Sequence, residues 1–182
     1  MKGRLASRLV YLWTFELPGA AFFVFLVLAS WKRAELGPIA GSGLALVVFL
    51  LCQGSLYWLT KLYSLRRRPL LSDGAMVRLF QVCRALSIIG ILAMSIGLIF
   101  GAAGNAAEGD YWVGFGLLVM AGLEYVNYYH FQLMYDSPTE VRWLLRAGRL
   151  KPAVLGRDLK AGRFSQLGRT KRSTQVAGRP PF

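Results

Sequence analysis

Apolar residues fill four long stretches of the chain, Phe15 to Trp31, Pro38 to Leu59, Val77 to Ala103 and Tyr111 to Leu133, and charged residues crowd the segments between them. A hydrocarbon core of ~30 Å needs about 20 apolar residues in a helix. Backbone in lipid must satisfy its own hydrogen bonds, which a helix does within one segment. The pattern therefore predicts an all-α protein with four transmembrane helices in an up-down-up-down bundle over residues 1–136. A juxtamembrane amphipathic segment over 137–161 and a basic tail over 162–182, expected to be disordered, follow it.

The segment after the fourth stretch opens on Ser137, Pro138, Thr139 and Glu140, the form of a capping box with proline at the first helical position. A helix from Pro138 to about Gly148 places Val141, Leu144, Leu145 and Gly148 on one face. Arg142, Arg146 and Arg149 lie on or beside the polar flank, and Trp143 lies near the boundary. Lys151 and Pro152 should end this helix. A basic amphipathic helix of this kind suits the headgroup region of a membrane.

Charge sets the expected orientation. The chain has 182 residues and a formal net charge of +13. Lys2, Arg4 and Arg8 precede the first stretch, Lys61, Arg66, Arg67, Arg68 and Arg78 flank the second loop, and Arg142, Arg146, Arg149 and Lys151 open the tail. The third loop has only Glu108 and Asp110, and the first has Lys32, Arg33 and Glu35. The bias of Lys and Arg in short loops puts the second loop and both termini in the cytoplasm, and the excess of Arg with abundant Gly and Ala suits a GC-rich bacterial genome, hence an inner membrane. Trp31, Tyr57, Trp58, Tyr111, Trp112 and Tyr128 fall near helix ends, where aromatic rings favour the headgroup level. Val27, Leu28 and Ala29 loosely resemble a signal-peptidase site, but its first position is not small, so the first helix is expected to be retained.

Polar residues inside the stretches are the candidates for chemistry. An ionisable side chain in a spanning helix is costly and faces protein or water. Glu124 lies somewhat past the middle of the fourth stretch, and Glu124, Asn127, Tyr128, Phe131 and Tyr135 share a helical stripe, read as its buried face. Glu16, Gln53 and Arg84 fall at comparable depth in an antiparallel bundle. The expectation is an intramembrane polar cluster of Glu16, Gln53, Arg84, Glu124 and Asn127, with Arg84 paired to Glu124 or Glu16. Such a cluster serves as interhelical glue or as a site for an ion, a proton or a headgroup. Ala93, Gly97 and Gly101 allow close helix approach, within the chain or between copies.

Cys52 and Cys83 have no zinc-type spacing and read as small apolar fillers, and His130 has no second ligand at a suitable spacing. Neither a phosphate-binding glycine loop nor a nucleophile elbow is present. No metal, cofactor or nucleic acid is expected. The leading expectation is a non-enzymatic accessory protein. It binds anionic headgroups on the cytoplasmic side through Arg66, Arg67, Arg68, Arg142, Trp143, Arg146, Arg149 and Lys151, or a membrane-protein partner or second copy through the same face. Two alternatives stay open: an oligomeric transporter or channel built around Glu124, and a membrane-embedded lipid-handling enzyme.

The orientation makes a prediction. In a background without Cys52 and Cys83, a cysteine at Asn105 should react with an impermeant thiol reagent added outside intact cells, and one at Ser72 should not. Labelling of Ser72 from outside reverses the orientation.

Overall fold

A computed structural model describes residue 18 and residues 21–32, 35–65, 70–104, 106–135 and 138–164. The described residues form six helices and no strand: α1 (Ala21–Ser30), α2 (Pro38–Leu65), α3 (Asp73–Ala103), α4 (Glu108–Tyr129), α5 (Pro138–Ala147) and α6 (Val154–Ala161). The expected all-α class is the one observed. Two helices are long and apolar enough to cross a membrane, over Pro38–Ser64 and Asp73–Ala102, with mean hydropathies of 1.9 and 2.3.

The contacts give the bundle its register. α3 runs antiparallel to α2: Ile39 meets Gly101, Gly43 meets Met94, Leu46 meets Gly90 and Gln53 meets Ser87. α4 runs parallel to α2, with Ile39 against Gly114, Gly43 against Leu117 and Gln53 against Tyr129. Small residues make this approach possible. A Cβ on Gly114 would fall 2.5 Å from the Ile39 Cγ2, and one on Gly101 2.5 Å from the Ile39 Cδ1. The expected small-residue stripe of α3 is thus divided. Gly101 packs within the chain, whereas nothing lies within 4 Å of a Cβ on Gly97, and Ala93 is exposed. The core joins Leu46, Val47, Leu50 and Leu51 of α2 to Met94, Leu117 and Ala121, and continues through Tyr57, Met76, Phe80, Tyr129, Leu155 and Phe164.

Asp110 fixes one end of the bundle. It is 4% exposed, and its carboxylate accepts from the backbone N–H of Gly37 (2.8 Å), Ile39 (3.3 Å) and Ala40 (2.7 Å). Pro38, the first residue of α2, has no N–H to satisfy. The first turn of one helix is therefore capped by a carboxylate from another, and the negative charge also opposes the positive end of the α2 dipole.

Helix limits differ from the apolar stretches at several points. α3 starts at Asp73 rather than Val77 because the Ser72 hydroxyl accepts from the Ala75 N–H (3.3 Å), a cap that precedes the apolar run. α2 continues to Leu65, past the expected end at Leu59. α4 ends at Tyr129, four residues before the expected Leu133. There the backbone finds other partners: Gln132 N–H donates to the Lys151 carbonyl (2.8 Å) and Ala153 N–H to the His130 carbonyl (3.0 Å). This pairing centres on an isolated antiparallel bridge between Phe131 and Pro152. Phe131 and Tyr135 therefore do not share a helical face with Glu124. The start of the first stretch before Ala21 and the tail over 165–182 lie outside the described residues, apart from Pro18.

Replacing Asp110 by alanine leaves two or three buried donors unpaired and should lower stability by about 2–3 kcal/mol, with asparagine intermediate. Thermal unfolding in mild detergent measures this. An Asp110→Ala protein that melts with the wild type removes the cap from the account.

Candidate functional site

The end of the bundle away from Asp110 carries most of the polar structure. Tyr129 donates its hydroxyl to the Gln53 Oε1 (2.7 Å), Gln53 donates Nε2 to the Ser87 hydroxyl (3.1 Å), and Ser87 donates to the Cys83 carbonyl (2.8 Å). Gln53 is 3% exposed and Ser87 fully buried. The chain of bonds joins α4, α2 and α3 with each side-chain group paired, which is the arrangement of interhelical glue.

Among the described residues, Gln53, Arg84, Glu124 and Asn127 do not form one cluster. Gln53 belongs to the chain just described. Arg84 is exposed on α3 and donates Nε to the Tyr125 hydroxyl (3.3 Å). Glu124 is half-buried and accepts from Asn127 Nδ2 at 3.5 Å, and Asn127 Oδ1 accepts the Leu133 N–H (2.9 Å). Among the described residues no ion pair joins Arg84 to Glu124. The reason is angular. The face of α4 toward Arg84 carries Tyr125 and Tyr129, and Glu124 lies one residue away, about 100° around the helix. Glu16 lies outside the described residues, as do Arg66, Arg67 and Arg68.

Below this layer sits a cluster absent from the sequence-based expectation. Lys61 of α2 is 4% exposed. Its ammonium pairs with Asp158 of α6, donates to the Phe164 carbonyl (2.9 Å) and lies 5.6 Å and 5.7 Å from the ring centres of Tyr57 and Phe164. Tyr57 donates its hydroxyl to the same Asp158 carboxylate (2.8 Å). The Phe164 ring stacks on Phe80 with centres 5.5 Å apart and is buried, whereas Gly162 and Arg163 before it are exposed; the disordered tail was expected from about Gly162. α6 comes close enough for this because Gly156 sits against the Tyr129 carbonyl, leaving no room for a side chain. A sequence signal existed: Asp158 is the only acidic residue after Glu140.

The remaining predicted residues line the outside of this end. α5 begins at Pro138 as expected; Ser137, the proposed cap, lies outside the described residues. Gly148 at φ 60° stops α5, and its N–H donates to the Leu144 carbonyl (3.0 Å). The chain then returns through Arg149, Leu150 and Lys151, held by the backbone pairing at residues 130–132 and by the Lys151 N–H donating to the Tyr135 hydroxyl (2.9 Å). The Lys151 ammonium rests 4.7 Å from the Trp143 ring centre. Arg142, Arg146 and Arg149 are exposed, as are Val141 and Leu145. No group of three or more metal-ligating side chains occurs among the described residues.

The Lys61–Asp158 pair should behave as a coupled unit. Lys61→Met or Asp158→Asn alone leaves an uncompensated partner and should cost about 3 kcal/mol, less for Lys61→Met because the Asp158 left behind is partly solvated. The double variant should recover part of the loss in detergent melts, and strictly additive losses would mean that the pair does not form in solution. No protein-family model, curated protein or solved structure matches this chain.

Proposed function

We propose that the chain is a four-span bacterial inner-membrane protein with both termini cytoplasmic, and that it acts without catalysis, holding anionic lipid at its inner face. α3 supports the membrane reading. Only 17% of its apolar window is buried, and Leu86, Ile89, Leu92, Ile96, Ile99 and Phe100 point away from the bundle. A core helix of a soluble protein would be covered, whereas lipid covers such a face at no cost. α4 is 22 residues long, about 33 Å, and reaches across the same thickness.

The observation that carries the functional reading is α5. Leu145 is 77% exposed and Val141 41%, on the same short helix as exposed Arg142 and Arg146. Phe131 and Met134, where α4 gives way to extended chain, are exposed beside them in sequence. An apolar strip flanked by arginines at the end of a bundle fits the boundary between headgroups and acyl chains. Each basic residue near an anionic surface contributes about 1 kcal/mol. A second reading, an oligomeric transporter or channel, draws on Glu124, which is half-buried with no cation paired to it among the described residues.

The full chain, free of Cys52 and Cys83 and carrying an environment-sensitive dye at a cysteine replacing Leu145, tests the reading. Its emission should shift to the blue in vesicles containing about one-third phosphatidylglycerol relative to pure phosphatidylcholine, and the shift should shrink at high salt. Equal emission in the two vesicles removes the electrostatic basis of the proposal.

A further inference from the structure

Where α5 returns toward α6, the chain encloses a cleft of about 430 Å³ lined by Trp143, Arg149, Lys151 and Arg157 together with Gln132 and Leu150. That volume falls within the range of about 300–1,000 Å³ typical of small-molecule sites. Three cations line it: Arg149 after the turn that ends α5, Lys151 on the returning segment and Arg157 in the first turn of α6. Like charges gathered around one cavity repel, so the arrangement needs an external reason or an anion.

The partners of these cations are informative. The sole carboxylate of α6, Asp158, is taken by Lys61 and Tyr57 on the bundle side. Among the described residues no ion pair uses Arg149, Lys151 or Arg157. Lys151 is held by aromatic faces, 4.7 Å from Trp143 and 5.8 Å from Tyr135. An aromatic ring fixes an ammonium in place without neutralising it, so its charge stays available. Arginine forks match the oxygens of a phosphate group in paired, parallel hydrogen bonds. The position adds a constraint: the cleft lies just past the end of α4, beside exposed Phe131 and Leu150, where an apolar tail could follow a bound headgroup.

We infer that this cleft is a binding site for the phosphate group of a single anionic phospholipid. Arg149 and Arg157 grip the phosphate oxygens, Lys151 completes the charge, and Gln132 and Trp143 border the rest of the headgroup. The inference rests on the membrane-surface reading above but is narrower, because it assigns a discrete site rather than a diffuse charged face.

The test uses the full chain in mild detergent, titrated with phosphatidylglycerol, phosphatidic acid or phosphatidylcholine and read by native mass spectrometry at low and high salt. The wild type should keep one anionic phospholipid at high salt, where diffuse attraction is screened, and should not keep phosphatidylcholine. Arg149→Gln with Arg157→Gln should weaken retention by about tenfold or more. Arg142→Gln with Arg146→Gln, on α5 outside the cleft, should leave the salt-resistant lipid in place. Both arginine pairs are exposed, and an unchanged melting curve confirms that either variant is folded. Charge-preserving Arg149→Lys with Arg157→Lys should weaken retention less than the glutamine pair.

Equal losses in the two glutamine pairs overturn the discrete site while leaving the diffuse reading standing. Full retention in the Arg149 and Arg157 variant also overturns it. Absence of any anionic lipid on the wild type overturns both. Displacement of the lipid by millimolar inorganic phosphate would show that the site takes free phosphate instead, and would overturn the lipid assignment.

Discussion

The buried ammonium of Lys61 is the interaction on which the lower half of the structure depends. A charge taken out of water requires a complete set of partners, and a single missing one is costly. Beside the Tyr57 ring of its own helix, Lys61 finds its set in the segment that follows α5: the Asp158 carboxylate, the Phe164 carbonyl and the Phe164 ring. Tyr57, its neighbour one helical turn away, completes the carboxylate's side. Once α6 is fixed this way, Gly156 rests on the Tyr129 carbonyl, and the backbone between Phe131 and Pro152 comes into register. The placement of Arg157 relative to Arg149 and Lys151 follows from that register. A charge pair inside the bundle thus determines the geometry of charges outside it.

The opposite end uses a different device for the same problem. Two parallel helices would each present an unsatisfied first turn, and their dipoles would point the same way. Asp110, in the first turn of α4, caps α2 and places a negative charge near both helix N-termini. Between the two ends the helices meet through Gly43, Gly90, Gly101 and Gly114, each received by a larger side chain of the neighbouring helix. Polar anchoring at both ends and glycine contacts between them leave α3 free to present an almost continuous apolar face outward.

The all-helical class and the position of the long helices were legible in the sequence because a long apolar run carries its own evidence: it is too long for anything but a helix in lipid. Helix limits were less legible. Ser72 and Asp73 start α3 through a cap that hydropathy does not register, and α4 stops at Tyr129 because a distant segment offers its backbone other bonds. The polar residues were partly legible. Gln53 was recognised as an interior group, but its partners Tyr129 and Ser87 depend on rotation about the helix axes, which spacing alone does not fix. The placing of Arg84 beside Glu124 failed by one residue for the same reason. Lys61 counted only as one more positive charge for orientation, and its burial became visible only with Asp158 brought across the chain.

The solitary acid of the tail has one more consequence. Asp158 is consumed inside the chain, so the described surface over 148–164 presents cations without compensating carboxylates. Two copies brought together at that surface repel each other unless polyanions or anionic lipids lie between them. If the chain spans a membrane as proposed, its copies would meet more readily through the outward face of α3, which offers contact without charge, than through this cationic surface, and the repulsion there would weaken with salt.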